Sequence, residues 1–192
     1  MRFPEQLEQP RETVLTPNAI IFHGTGGHPS YCWYPWLAAR LEARGYVVEL
    51  PHYPGLNVEP IQTFLPKLLA RHTFDEATVL VGHSGGAALL LALLEHVETR
   101  VAQAILVAGY STPPNNAKEP VLQQTYDWHA IKAHAAELYF INSLRDPYGC
   151  DPQQGRRLLE RLGGTQIVRD EGHFGDADDP YPTFDLLDRL IA

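Results

Sequence analysis

The 192-residue sequence is 44% hydrophobic and 20% charged, which predicts one domain over 1–192 with a sizeable core. Its formal net charge of −8 argues against nucleic acid or an anionic membrane as a partner. No apolar run approaches the ~20 residues of a membrane span. The two cysteines do not make a disulfide framework, so a reducing cytoplasm is the expected compartment.

Residues 1–17 are polar and interrupted by prolines, which predicts a loosely ordered lead-in rather than a signal peptide. Apolar runs and helical periods then alternate along the chain. The predicted strands are 18–23, 46–50, 78–81, 102–108, 138–141 and 165–168. The predicted helices are 36–43, 60–71, 85–97, 128–134, 151–162 and 181–191, with Pro66 making the middle of the second one uncertain. The stretch 109–126 has no clear period, and its Pro-Pro-Asn-Asn run opposes regular structure.

This alternation predicts an α/β fold of three layers, in which about six parallel strands are covered by helices on both faces. The expected strand order is 2-1-3-4-5-6. That order reverses between the first and third strands, where a crevice opens at the carboxyl ends of the strands. Two glycine motifs, at 24–27 and 82–86, follow those two strands. We therefore expect the motifs to share one site, with no separate cap domain above it.

The second glycine motif is a Gly-x-Ser-x-Gly pentad at 82–86, between an apolar strand and an Ala/Leu-rich helix. This context is typical of a nucleophile elbow, a sharp turn that presents a serine hydroxyl at the top of a sheet. Gly82 and Gly86 leave room for the close approach of strand and helix. The alternative is a flexible glycine turn without a chemical role. We favour the elbow, with Ser84 as the nucleophile.

The first glycine motif does not fit a dinucleotide loop, because Pro29 stands where the third glycine is required. A phosphate loop also fails, since no Gly-Lys-Ser/Thr follows. The remaining interpretations are a simple turn and an oxyanion loop of the His-Gly-x-x-Gly kind. In the oxyanion loop, the backbone N–H groups of Thr25 and Gly26 stabilise a tetrahedral oxyanion together with that of Gly85. We favour the oxyanion loop.

A serine nucleophile needs a base and an acid that orients it, in the chain order Ser, Asp or Glu, His for this type of fold. His173 lies in a glycine-containing loop just past the sixth strand, which makes it the predicted base. His83 adjoins Ser84, but neighbouring side chains on a tight turn point apart. Asp146 is the first carboxylate past the fifth strand and is the predicted acid, ahead of Asp170 and Asp176. The alternative for Asp146 is an Asp-Pro turn.

The chain as a whole resembles the α/β-hydrolases, in particular small serine hydrolases of the YdeN and retinoblastoma-binding-protein-9 type. The resemblance runs from the first strand to the last helix, and the segments that carry it are 33–37, 82–86, 128–132, 143–147 and 172–174. It implies a triad of Ser84, Asp146 and His173. The chain departs from this family at Arg145, where a second acid is common, and in its His-Gly-Thr-Gly-Gly loop, which is closer to lipases.

These motifs predict a serine hydrolase that cleaves a small acyl ester through an acyl-enzyme on Ser84. This chemistry needs no metal or organic cofactor, and none is expected. The acidic run at 176–179 lacks the spacing of a calcium loop. Aromatic residues crowd the expected mouth of the site, and the predicted substrate contacts are Tyr31, Trp33, Tyr110 and Phe174. Two alternatives stay open: an amide or aminoacyl hydrolase with the same triad, and a non-catalytic protein-interaction module that binds a partner through 109–126.

Overall fold

Residues 15–176 and 178–191 are described by a computed structural model of the chain. Most of the predicted lead-in, 1–14, lies outside these ranges. The strands are β1 (Asn18–Phe22), β2 (Val47–Glu49), β3 (Thr78–His83), β4 (Val101–Val107), β5 (Ala135–Ser143) and β6 (Thr165–Arg169). The helices are α1 (Tyr34–Glu42), α2 (Ile61–Leu69), α3 (Gly85–His96), α4 (Trp128–Ala133), α5 (Pro152–Leu162) and α6 (Asp185–Leu190).

The six strands form one parallel sheet in the order β2-β1-β3-β4-β5-β6, which confirms the predicted topology. The pairing register also aligns the loops that follow the strands. Phe22 of β1 lies opposite Gly82 of β3, so the loop after β1 begins beside the elbow. Ser143 of β5 lies opposite Arg169 of β6, which brings the loops of Asp146 and His173 side by side.

The core explains why the central strands are continuous apolar runs. Every residue of β3 is buried, as are all but one of β4, since helices cover both faces of the sheet. Helix α3 is buried all round from Gly85 to Leu94 and packs on β3 and β4. Helices α2 and α4 contact α3, whereas α1 packs against α6. Within the described ranges, no group of helices forms a separate cap over the strand ends.

Several element boundaries differ from the prediction. Helix α6 begins at Asp185 rather than at 181, because Tyr181 has a left-handed φ of 41° and its ring packs against Phe174 and Phe184. Helix α2 continues through Pro66. The stretch 109–126 contains a short 3-10 turn at Pro114–Asn116, contrary to the expectation of no regular structure. None of the helices among the described residues has the length and apolarity needed to cross a membrane.

Candidate active site

Ser84 stands at the sharp turn between β3 and α3, with a φ of 54° and a ψ of −118°. This left-handed backbone is unfavourable for a residue with a side chain and is found where the surrounding structure enforces it. The glycines permit the close approach: a Cβ at Gly82 would lie 2.5 Å from the carbonyl oxygen of Gly86. A Cβ at Gly86 would lie 2.5 Å from the carbonyl oxygen of His23. The turn therefore has the geometry of a nucleophile elbow.

His173 and Asp146 are joined by a hydrogen bond of 2.7 Å from Nδ1 of the imidazole to Oδ2 of the carboxylate. The carboxylate side chain of Asp146 is fully buried, and its Oδ1 accepts from the backbone N–H groups of Tyr148 and Cys150 at 2.9 and 3.2 Å. These three bonds fix both oxygens. With Nδ1 committed to Asp146, Nε2 of His173 is the nitrogen left to exchange a proton with a substrate or with Ser84.

The two other candidate acids are engaged elsewhere. Asp170 forms an ion pair with Arg145, whose Nε lies 2.8 Å from its Oδ1, and both side chains are largely exposed. The guanidinium of Arg145 is therefore engaged by Asp170, whose carbonyl oxygen also accepts from it at 2.6 Å. Asp176 accepts from the backbone N–H groups of Asp178 and Asp179 at 2.8 Å each. Among the three aspartates, the structure places Asp146 alone on the ring of His173.

Two of the three predicted oxyanion donors, the N–H groups of Thr25 and Gly85, lie close together next to Ser84. The N–H groups of Thr25 and Gly26 donate no hydrogen bond to any residue that the structure describes. Gly85 is the first residue of α3, where backbone N–H groups lack helical partners. A Cβ on Gly85 would lie 3.3 Å from the nitrogen of Thr25, so the two backbones are adjacent. Such a pair of free N–H groups is suited to hold a developing oxyanion.

His83 and Tyr34 form a buried network that sequence reasoning did not identify. Nε2 of His83 lies 2.7 Å from the carbonyl oxygen of His173, and Nδ1 lies 2.6 Å from the hydroxyl of Tyr34. Because a carbonyl can only accept, Nε2 carries the proton and Nδ1 accepts from Tyr34. The Tyr34 hydroxyl also accepts from the N–H of Gly24 at 3.3 Å. Burial lowers the pKa of His83 to about 3, so this imidazole stays neutral.

A cavity of about 940 Å³ opens above these groups, and both Ser84 and His173 line it. Two of the four predicted substrate contacts, Tyr31 and Tyr110, also line it. The other two do not: Trp33 and Phe174 are fully buried in the core. Trp33 donates from Nε1 to the carbonyl oxygen of Phe174 at 2.9 Å. Trp33 therefore anchors the loop of His173 and Phe174 to the core, and neither aromatic ring faces the cavity.

The stretch 109–126 forms one wall of the cavity, and apart from Tyr110 the residues that it contributes were not among the predicted substrate contacts. Its cavity-lining residues are Tyr110, Pro114, Asn115, Ala117 and Glu119. Tyr148 closes another side, with its ring in edge contact with the ring of His173 at a centroid distance of 4.6 Å. No pattern in the sequence pointed to Glu119 or Tyr148, because neither belongs to a motif with characteristic spacing.

The cavity also contains both cysteines, Cys32 and Cys150. Burial raises the pKa of Cys32 to about 11 and that of Cys150 further still, so both are thiols at neutral pH and poor nucleophiles. One set of potential metal ligands occurs among the described residues: Asp146, Cys150 and His173, with ligand atoms within 4.8 Å of one another. The set fits a metal poorly, since Asp146 and His173 already bond to each other and the thiol resists ionisation.

The chain is similar in sequence to several known proteins. YdeN of Bacillus subtilis (strain 168) is 29% identical over 170 residues, covering 82% of this chain and 90% of YdeN. The serine hydrolase RBBP9 of Rattus norvegicus is 25% identical over 178 residues, covering 90% of this chain and 91% of the relative. An Arabidopsis thaliana protein with methylesterase 13 in its name is 24% identical over 143 residues, covering 69% of this chain and 32% of the relative.

The crystal structure of the ydeN gene product from B. subtilis superposes on this fold with a TM-score of 0.82. The two are 25% identical, and the superposition covers 92% of this chain and 97% of that one. The sequence model of the serine hydrolase family matches residues 19–190, from the first strand through the last helix. Because this match spans nearly the whole sequence, the chain belongs to the serine hydrolase family.

Proposed function

We propose that this serine hydrolase cleaves small carboxylic esters through an acyl-enzyme on Ser84. One observation carries the proposal: a histidine that is hydrogen-bonded at 2.7 Å to a buried aspartate shares one cavity with a serine held in a left-handed elbow. That combination activates a hydroxyl for attack on an acyl carbonyl. An ester is favoured over an amide because two relatives in the comparisons are named as methylesterases.

In the proposed reaction, Oγ of Ser84 attacks the ester carbonyl while Nε2 of His173 takes the hydroxyl proton. Asp146 holds the ring and stabilises the imidazolium that forms. The carbonyl oxygen becomes an oxyanion that accepts from the N–H groups of Thr25 or Gly26 and of Gly85. The imidazolium then returns its proton to the departing alcohol, leaving an acyl group on Ser84. A water molecule, deprotonated by His173, attacks this acyl group, releases the acid and restores the serine hydroxyl.

The test compares Ser84→Ala with Ser111→Ala, a serine that does not line the cavity. We expect Ser84→Ala to abolish hydrolysis of p-nitrophenyl acetate and labelling by a fluorophosphonate, with an unchanged circular dichroism spectrum. Ser111→Ala should keep both the hydrolysis and the labelling. A panel of matched p-nitrophenyl esters and anilides then separates ester from amide preference. Hydrolysis that survives in Ser84→Ala at the parent rate would exclude the proposed nucleophile.

A further inference from the structure

Glu119 is an acidic residue in the cavity wall that the proposed reaction does not use. Two hydrogen bonds hold its Oε2 atom: the hydroxyl of Tyr110 donates to it, and Nδ2 of Asn57 donates at 2.5 Å. Both donors are buried, with 2% and 8% of their surface exposed. Asn57 is itself fixed, because its Oδ1 accepts from the N–H of Val121 at 3.0 Å. The carboxylate is therefore held in one orientation before any substrate binds.

The second carboxylate oxygen of Glu119, Oε1, has no hydrogen-bond partner among the residues that the structure describes. A purely structural role explains the two hydrogen bonds to Oε2 but gives no function to Oε1. Glu119 is half-buried and borders the cavity, so this oxygen is available to a bound molecule. A rigid carboxylate with one free oxygen is suited to pair with a cation.

The charges around the cavity are unbalanced. Glu119 and Asp176 line it, and no lysine or arginine occurs among the described residues that do so. Asp176 is already satisfied by the N–H groups of Asp178 and Asp179 and by the hydroxyl of Tyr148. A negatively charged substrate would meet repulsion without a cationic partner. A positively charged group would meet Glu119, and the aromatic rings of Tyr31 and Tyr110 in the same cavity can also contact a cation.

Glu119 is also close to the reacting groups. The Nδ2 atom of Asn57 that donates to Glu119 donates as well to Oγ1 of Thr25, at 2.9 Å. Thr25 provides one of the proposed oxyanion donors and is adjacent to Gly85. Two hydrogen bonds, through Asn57, therefore connect the carboxylate to Thr25. A substituent on a small ester bound at Ser84 can reach across this short path.

We propose that Glu119 binds a cationic substituent of the substrate, so that the preferred substrates are small esters that carry an ammonium group. This inference rests on the proposed esterase function and adds a substrate class to it. Oε1 of Glu119 pairs with the ammonium group, while the lack of lysine and arginine among the described residues that line the cavity selects against anionic esters. The bonds from Tyr110 and Asn57 keep the carboxylate in place during the reaction.

The test uses pairs of esters that differ only in charge. Acetylcholine is compared with 3,3-dimethylbutyl acetate, in which carbon replaces the nitrogen. On the acyl side, the p-nitrophenyl ester of 4-(trimethylammonio)butanoate is compared with that of 5,5-dimethylhexanoate. The measured quantity is the ratio of kcat/KM for the cationic ester to that for its neutral partner. Damage to the fold or to the oxyanion loop lowers both values and leaves the ratio unchanged.

The variant is Glu119→Gln, which keeps an oxygen acceptor for Tyr110 and Asn57 but removes the charge. We expect it to lower the ratio by about fivefold in at least one pair at low ionic strength, the size of a partly exposed ion pair. Added salt should reduce the parent ratio towards that of the variant. Glu98→Gln removes the same charge at an exposed site that does not line the cavity, and its ratio should stay within about twofold of the parent.

Each outcome decides one of the two proposals. Ratios that are unchanged by Glu119→Gln in both pairs would overturn the cation site, even if both rates fall. Neutral esters that are hydrolysed only when Ser84 is present support the esterase function independently of the ratios. If no ester is hydrolysed, the esterase proposal fails and calorimetry tests the site directly. Choline should then bind more tightly than 3,3-dimethylbutanol, and Glu119→Gln should remove the difference; equal binding by the parent would contradict the site.

Discussion

At the scale of single residues, the hydrogen bonds and ion pairs that each aspartate already makes distinguish the candidate acids. Asp146 uses both carboxylate oxygens, one on His173 and the other on backbone N–H groups, in a fully buried position. Asp170 lies on the neighbouring loop but is paired with exposed Arg145. An acid that orients an imidazole must be fixed itself, and Asp146 meets that requirement. The two aspartates therefore offer a matched comparison.

We predict that Asp146→Asn lowers kcat for p-nitrophenyl acetate by at least about 100-fold, because an amide favours the wrong tautomer of the histidine. Asp170→Asn should stay within about tenfold of the parent, since it loses only an exposed ion pair. The measurement is steady-state kinetics of both purified variants on the same ester. A nearly normal Asp146→Asn beside an inactive Asp170→Asn would refute the assignment of the acid.

At the scale of secondary-structure elements, the site is built from the loops that follow the carboxyl ends of β1, β3, β5 and β6. The buried ring of His83, the last residue of β3, connects Tyr34 of α1 to the carbonyl oxygen of His173 in the loop after β6. Tyr34 in turn accepts from Gly24 in the loop after β1. This network connects the loop after β1, which holds the proposed oxyanion donors, to the loop that carries His173. Because Nδ1 of His83 accepts a hydrogen bond and the ring is buried, the imidazole carries one proton and burial disfavours a second.

The neutral imidazole makes the fold sensitive to acid. Burial lowers the pKa of His83 to about 3, whereas an imidazole in the unfolded chain titrates near ~6.5. Between these values the unfolded state binds a proton that the native state does not, so acidification favours unfolding. The stabilisation is therefore complete above pH ~6.5 and is lost progressively as the pH falls towards about 3.

We predict that His83→Gln, which does not titrate, loses less stability on acidification than the parent. Between pH 7.5 and 5, the difference in the free energy of unfolding should be about 2 kcal/mol. Urea denaturation at the two pH values measures it, and other histidines affect parent and variant alike. At pH 7.5 the variant should be less stable and less active, because glutamine cannot reproduce the ring's span from Tyr34 to His173. A parallel loss of stability in both proteins would rule out His83 as the acid-sensitive group.

At the scale of the whole molecule, the site lies in a cavity that is open to solvent. Exposed residues on several sides border it, including Thr25, Tyr31 and Tyr148, and no separate cap occurs within the described ranges. Because the cavity is open to solvent, the methylenes of a long acyl chain that lie outside it stay in water and gain none of the ~0.8 kcal/mol per group that burial provides. The architecture therefore suits short substrates.

We predict that p-nitrophenyl acetate and butyrate are hydrolysed with a higher kcat/KM than the dodecanoate, by about tenfold or more. With no cap to displace, tributyrin should show no jump in rate as its concentration passes the solubility limit. Initial rates over a chain-length series and across that limit provide the measurement. A preference for the longest esters, or a marked jump on emulsions, would show that a cover forms over the cavity.

The strands and helices were predictable because their sequence patterns extend over only a few neighbouring residues. Apolar runs and helical periods identified the six strands and the six α-helices of the described residues, and alternation implied the observed strand order. The boundaries were less accurate where tertiary contacts decide the backbone. Tyr181 was expected to begin the last helix, but its ring packs among Phe174 and Phe184 and its φ of 41° is incompatible with a helix.

By itself, the sequence determined the fold and brought Ser84, Asp146 and His173 forward as candidates, because glycine spacing and strand order are properties of the chain. The tertiary structure alone decided which side chains face the cavity. Trp33 and Phe174 looked like substrate contacts yet are buried beneath it, since an aromatic residue near a strand end packs inward as readily as outward. Glu119 and Asn57 are 62 residues apart in sequence and bond only because two loops fold against each other. Such long-range pairing leaves no periodic trace in the chain, so only the folded structure could reveal it.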